Sequence, residues 1–430
     1  MYKFSSIKYI HKTREYLRSL GPGLVTGAAD DDPSGIATYS QVGARFGLQY
    51  VWLALFTLPL LIGIQEMCGR IGLATRHGII WHIRRIFPSW VLYFAVAALF
   101  IANIFNISAD LRAMSDAFSL IVPSTPINLM IPIFALTTII LEIAMPYRIY
   151  AHYLKIITLS LLAYIIASFF AVSDWTAVIR SLIFPTMASD VDGFVMIAAV
   201  LGTTISPYLF FWQTSTEIEE EKYKIKESHR ALDVTFENKE LKVMRRDIYS
   251  GMIASNLVMF FIMVTAGSTL HVNGITEISS AVQASEALRP LAGNFASLLF
   301  ALGIIGTGML ALPVLAGSAA YAVSELFDWK EGLNLGIHNG RAFYFIIILA
   351  IILGVIINIF DGSAFQGLIY AALLNAVAVP VILFCIVRIA SDRQIMGRFT
   401  NNRYQTTLGY LAVIIMLVAS SLAVYYFALH

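Results

Sequence analysis

Three consecutive acids, Asp30, Asp31 and Asp32, stand directly before Pro33 inside an otherwise apolar segment, Gly21 to Gly43. In a membrane interior each such acid is costly, and proline removes a backbone donor and forces the preceding turn open. A helix interrupted in this way is tolerated only where it is buried in protein or lines a cavity. Carboxylates and freed carbonyls then converge at mid-membrane depth, which is the arrangement a cation site needs. A second interruption echoes the first: in Gly202-Thr-Thr-Ile-Ser-Pro-Tyr208, Pro207 follows hydroxyls at Thr203, Thr204 and Ser206. The carbonyls of Ala29 and Thr203 are the ligands these breaks would free, and Ser34 and Ser206 offer hydroxyls to an ion or its waters.

The elements that position these residues are membrane helices. Hydrophobic residues make up 58% of the chain and charged ones only 13%, with a mean hydropathy of +0.75, which excludes a soluble globular protein and predicts an all-α polytopic membrane protein. Apolar windows of spanning length follow Gly21–Gly43 at Val51–Cys68, Val91–Phe118, Leu129–Ala144, Ile156–Val172, Phe194–Trp212, Met252–Gly267, Ala296–Val323, Phe343–Phe360, Gly367–Val387 and Leu408–Leu429. That gives eleven helices. The broken first and sixth are five spans apart, so they occupy corresponding places in two halves of opposite topology, the signature of an inverted repeat with its site at the repeat interface. The expected organisation is a tail at 1–20, a first repeat at 21–172, a second at 190–390 with a cytoplasmic connection at 214–247, and an eleventh helix at 406–430.

Basic residues cluster in alternate loops, among them Arg14 and Arg18 in the tail, Arg70 to Arg85, Arg148 and Lys155, Lys222 to Arg246, and Arg388 to Arg403. The positive-inside rule therefore places the N-terminus in the cytoplasm and His430 outside. No removable signal peptide is read in the polar, cationic start, and the first helix serves as the targeting signal. Cys68 and Cys385 read as small buried hydrophobes. His77 and His82, five residues apart, are off-face for a helical metal pair and read as loop surface. Glu66 and Glu142 read as reaching the cytoplasmic interface. No nucleophile-base pattern, zinc-protease helix or phosphate loop is present, so no enzyme is expected.

At these residues the chain resembles the Nramp family of divalent-metal transporters. The resemblance rests on Gly21-Pro-Gly23, Asp32-Pro33, Gln41-Val-Gly-Ala44, Gln65 to Gly72, Val379-Pro380 and Ser391-Asp392. It implies a LeuT-type inverted repeat of five plus five helices with broken helices 1 and 6. Two diagnostic motifs differ: the family's Asp-Pro-Gly-Asn reads Asp32-Pro33-Ser34-Gly35, and its Met-Pro-His reads Ser206-Pro207-Tyr208. A methionine thioether favours soft transition ions, whereas Ser206 leaves a harder or roomier pocket, which resembles the Nramp-related magnesium transporters. The resemblance makes Asp32 the anionic metal ligand. Asp30 and Asp31 have no family counterpart and either gather cations and outer waters or form a solvated funnel face. Gln366 lies near a family glutamine that joins the site, while Asn375 reads as helix-packing glue.

For coupling, Tyr208 stands where the family has a proton-linked histidine, and a phenol does not titrate near neutrality. Asp110 matches a family acid in the third helix, Ala113 replaces a glutamate, and Asp116 is one turn from Arg112. The expected function is uptake of Mg²⁺ and/or Mn²⁺ by alternating access, with weak or no proton coupling. Alternatives are a conventional proton-coupled Mn²⁺/Fe²⁺ transporter and an organic-substrate carrier on the same fold. The metal is cargo, so no cofactor is expected. The partners expected are the ion and the lipid bilayer, without nucleic acid; the chain reads as a monomer in a bacterial inner membrane.

Overall fold

The computed structural model describes residues 21–145, 159–187, 191–228, 234–358 and 364–429. The tail at 1–20, with Arg14 and Arg18, and the positions of Arg148 and Lys155 lie outside the described residues. Among those described, all regular structure is helical. The helices used below are α1 (Pro22–Asp30), α2 (Pro33–Phe46), α3 (Trp52–Thr75), α4 (Ile79–Ile86), α5 (Ser89–Ile121), α6 (Ile127–Ala144), α7 (Leu162–Ala171), α8 (Trp175–Ile183), α9 (Val191–Thr204), α10 (Pro207–Ser228), α11 (Val234–Ala266), α12 (Ala296–Phe327), α13 (Arg341–Ile357), α14 (Ala364–Ala390) and α15 (Arg403–Leu429).

Eight helical stretches among the described residues are long and apolar enough to cross a bilayer. The remaining three of the eleven windows fall on the broken pair α1/α2, on α7, and on α13, whose 17 residues reach about 26 Å. Two pairs of corresponding spans match in length. The 33-residue α5 corresponds to the 32-residue α12, and the 18-residue α6 to the 17-residue α13. Helix α15 packs outside the repeats against α14 and α9, with Ile414 and Val418 exposed.

Breaking a span leaves a short half-helix that must be held by its neighbours. Helix α1 lies across α11 with its backbone in contact: a Cβ on Gly27 would stand 2.3 Å from the Gly251 carbonyl oxygen, and one on Gly251 would stand 2.1 Å from that of Gly23. Small residues permit such an approach, where dispersion rather than the hydrophobic effect joins helices. The carboxylate of Asp247 on α11 then caps the start of α1, accepting from the amides of Gly23 (2.7 Å) and Leu24 (3.2 Å).

At the end of the bundle rich in Arg and Lys, several side chains depart from the sequence expectation. His82 is buried, because α4 is amphipathic and turns Ile79, Ile80, His82 and Ile83 inward. Its Nε2 lies 2.9 Å from Thr75 Oγ1. Burial, then the nearby His77 and Arg85, push its pKa from 6.5 down to about 4. Glu66 is also buried, held by Arg245 at 2.8 Å and by Gln405 at 3.2 Å. Glu142 is buried with neither carboxylate oxygen hydrogen-bonded among the described residues. The connection 214–247 is largely helix, since α10 runs to Ser228 and α11 starts at Val234. Its dense Glu and Lys content favours helix over irregular chain.

Two outcomes follow. Gly251→Ala gains about 1 kcal/mol of helix propensity, but the 2.1 Å approach to Gly23 forces α1 and α11 apart. The net expectation is a loss of about 1–3 kcal/mol, read as a lower unfolding midpoint in detergent. For His82, the unfolded chain binds a proton near pH 6.5 and the folded one only near 4, so stability falls as pH drops through that window. In His82→Gln this acid-side loss is reduced, which midpoints measured from pH 7 to 4 would register.

Candidate cation site at the two helix breaks

The two breaks are built alike. Helix α1 ends at Asp30, two residues follow, and α2 begins with Pro33; α9 ends at Thr204, two residues follow, and α10 begins with Pro207. Proline suits the first helical position because its missing amide would have had no partner there. Asp32, with φ −66° and ψ 171°, is the N-cap of α2, and its Oδ1 accepts the Gly35 amide at 2.7 Å. One carboxylate oxygen is thus held by a helix N-terminus, where negative charge is favoured.

The breaks meet through hydroxyl groups. The Tyr208 hydroxyl lies 3.0 Å from the Ala29 carbonyl oxygen and 3.2 Å from Asp32 Oδ2, with its single proton shared between these two acceptors. Ser34 Oγ and Thr203 Oγ1 are 3.2 Å apart. The Ser206 hydroxyl faces the carbonyls of Thr203 (2.6 Å) and Gly202 (2.8 Å). Thr204 donates to the Val200 carbonyl at 2.7 Å, which leaves its oxygen to accept from Tyr39 at 3.1 Å. Asp32, Ser34, Ser206 and Tyr208 are all buried, as are Ala29 and Thr203, so the arrangement is occluded from both ends of the bundle.

The other acids divide. Asp30 Oδ2 and Asp31 Oδ1 both face the Ser255 hydroxyl of α11, at 2.5 and 3.3 Å. Asp30 is fully buried and Asp31 is 3% exposed, so neither lies on a solvated funnel face in this arrangement. Asp30 Oδ1 has no hydrogen-bond partner. Asp110 on α5 is fully buried beside the Ser34 backbone amide, near enough to Asp32 for their charges to interact. No Lys or Arg among the described residues is in ion-pair range of these four acids. Nor do three acid, His or Cys groups among the described residues cluster closely enough to chelate an ion by themselves. What converges here instead is a mixed set of oxygen atoms: carboxylate, carbonyl and hydroxyl.

Gln366 is the site candidate that the fold leaves aside. It is exposed in the first turn of α14. The side chain that reaches the break from this helix is Asn375, whose Nδ2 lies 3.4 Å from Ser206 Oγ and whose Oδ1 accepts from Asn106 at 3.0 Å. Ser255 and Asn375 were missed as site residues in the sequence. A lone amide or hydroxyl in an apolar helix carries no address until its partner helix is known.

The sequence matches the family described as Natural resistance-associated macrophage protein-like over residues 23–426. It is 25% identical over 415 residues, 93% of each chain, to the divalent metal cation transporter MntH of Yersinia pestis (strain Pestoides F). To MntH of Caldanaerobacter subterraneus it is 20% identical, covering 96% of this chain and 94% of that one. The fold superimposes on the Eremococcus coleocola manganese transporter with a TM-score of 0.74 at 16% identity, over 95% of this chain and 86% of that one. It also superimposes on Mhp1, a nucleobase-cation-symport-1 family transporter in a closed conformation, with a TM-score of 0.53 at 14% identity and coverage of 95% and 91%. The inverted-repeat membrane fold expected from the two prolines is therefore the fold observed. These relatives are transporters rather than enzymes. With a family match that runs through both helix breaks and all but the ends of the chain, the protein belongs to the Nramp family.

Proposed function

We propose that this chain carries divalent metal ions, Mg²⁺ and/or Mn²⁺, into the cell by alternating access, with weak or no proton coupling. The observation that carries the reading is the meeting of two helix breaks around Asp32 with oxygen donors alone. Asp32 is the anionic ligand, joined by the carbonyls of Ala29 and Thr203 and the hydroxyls of Ser34 and Ser206. Asp30 and Asp31, gathered on Ser255, raise the local concentration of cations and hold outer waters. A ligand set made of oxygens suits Mg²⁺, which keeps part of its hydration shell, and Mn²⁺, which accepts oxygen ligands. The names of the relatives support the cargo class.

Uncoupled movement is supported by Tyr208, whose phenol holds its proton near neutrality, and by the hydrogen bonds that Asp32 receives as a carboxylate. An inside-negative potential of 100 mV would add about 4.6 kcal/mol of driving force per divalent ion. The second reading, a conventional proton-coupled Mn²⁺/Fe²⁺ carrier, draws on Asp110, an acid buried close to Asp32. In either case the ion path lies within one chain, with the N-terminus in the cytoplasm, the C-terminus outside, and a bacterial inner membrane as the setting.

Purified protein in proteoliposomes tests this directly. Mn²⁺ uptake is expected to be inhibited by millimolar external Mg²⁺ without acidification of the lumen, and Asp32→Ala is expected to abolish it. Uptake that survives Asp32→Ala removes the site assignment, and lumenal acidification that tracks uptake selects the proton-coupled reading. Ser206→Met restores a thioether and is expected to weaken Mg²⁺ competition relative to Mn²⁺ by about tenfold, equivalent to about 1.4 kcal/mol. The ratio of inhibition constants for the two ions reads this out.

A further inference from the structure

Tyr208 occupies the same two oxygens that a cation at Asp32 would use. Its hydroxyl reaches the Ala29 carbonyl at 3.0 Å and Asp32 Oδ2 at 3.2 Å, and it is fully buried. At the second break the Ser206 hydroxyl lies on the Thr203 carbonyl at 2.6 Å, but there the hydroxyl oxygen is itself a proposed ligand. Each carbonyl freed by a break is therefore covered by a hydroxyl from the start of α10 or the residue before it. An ion that takes the lone pairs the Tyr208 proton now holds displaces it, so the two compete.

That competition has a use in a carrier without a counter-ion. To turn over, such a carrier must change faces without cargo, and a dry carboxylate stripped of its ion needs other donors. The Gly35 amide supplies one to Oδ1, and Tyr208 supplies the other to Oδ2. We propose that Tyr208 is a return-step residue: its hydroxyl replaces the ion on Asp32 and Ala29, and so allows the unloaded carrier to cross back. The proposal rests on the reading of Asp32 as a divalent-cation ligand. It assigns Tyr208 the opposite role from a metal ligand, because removing a competitor tightens binding whereas removing a ligand weakens it.

The test compares net uptake with exchange in the same proteoliposomes. Net uptake of ⁵⁴Mn²⁺ into metal-free vesicles requires the unloaded return; exchange of ⁵⁴Mn²⁺ into vesicles holding equal Mn²⁺ on both sides does not. For the unaltered protein the two rates are expected to agree within about threefold, because the return is supported by a hydrogen bond to a charged group. In Tyr208→Phe, Mn²⁺ should bind at least as tightly by titration calorimetry, exchange should persist, and net uptake should fall by about tenfold, the scale of one such bond.

Weaker Mn²⁺ binding in Tyr208→Phe would make the phenol a ligand and overturn the proposal. So would an equal fall in both rates, or no change in either. If the variant does not fold, the unaltered protein still decides: exchange far faster than net uptake would mean that nothing eases the return. Absence of both Mn²⁺ uptake and exchange in the unaltered protein would instead sink the cation reading, and the proposal with it.

Discussion

A carboxylate removed from water must find donors, and the arrangement of this protein follows from how Asp32 finds them. An intact helix has no amides to spare. Interrupting the first span after Asp30 and restarting it at Pro33 creates a new helix N-terminus in mid-membrane, and Asp32 caps it. The interruption also turns the Ala29 carbonyl toward Tyr208. One local defect therefore supplies both the donor that makes the acid tolerable and the carbonyl that Tyr208 covers. The second break, at Ser206, provides the complementary wall.

Two broken spans would be weak elements without the unbroken ones around them. The half-helix α1 is only nine residues long, too short to persist by its own propensity. It is held by backbone contact with α11 at Gly23, Gly27 and Gly251 and by the Asp247 cap. Beyond α1, the amides Asn375 and Asn106 tie the second break to α14 and α5. Glycine at three crossings and a few buried amides thus convert a defect into a positioned site.

Much of this was legible in the sequence, because it is written in local signals. Acids and prolines inside apolar runs mark the breaks, and their spacing marks the repeat. The parts that were not legible depend on partners distant in the chain. Ser255 becomes informative only when α11 is laid beside α1, and Asn375 only when α14 reaches Ser206. His82 read as surface because polar residues flank it, yet the period of Ile79, Ile80 and Ile83 turns its side chain inward. The charged stretch after Gln213 read as a connection, whereas helix propensity continues the two spans through most of it.

The Asp247 cap and the glycine contacts have a mechanical corollary. Helix α1 cannot tilt alone: it is welded to α11, and α11 is tied through Arg245 to Glu66 on α3. These three form one lever, about 50 Å long along the 33 residues of α11. Helix α2 belongs to the same lever, since a Cβ on Gly43 would stand 2.5 Å from the Met263 carbonyl oxygen of α11. Asp31 and Asp32, the non-helical pair between α1 and α2, are therefore clamped from both sides by one helix rather than free to flex.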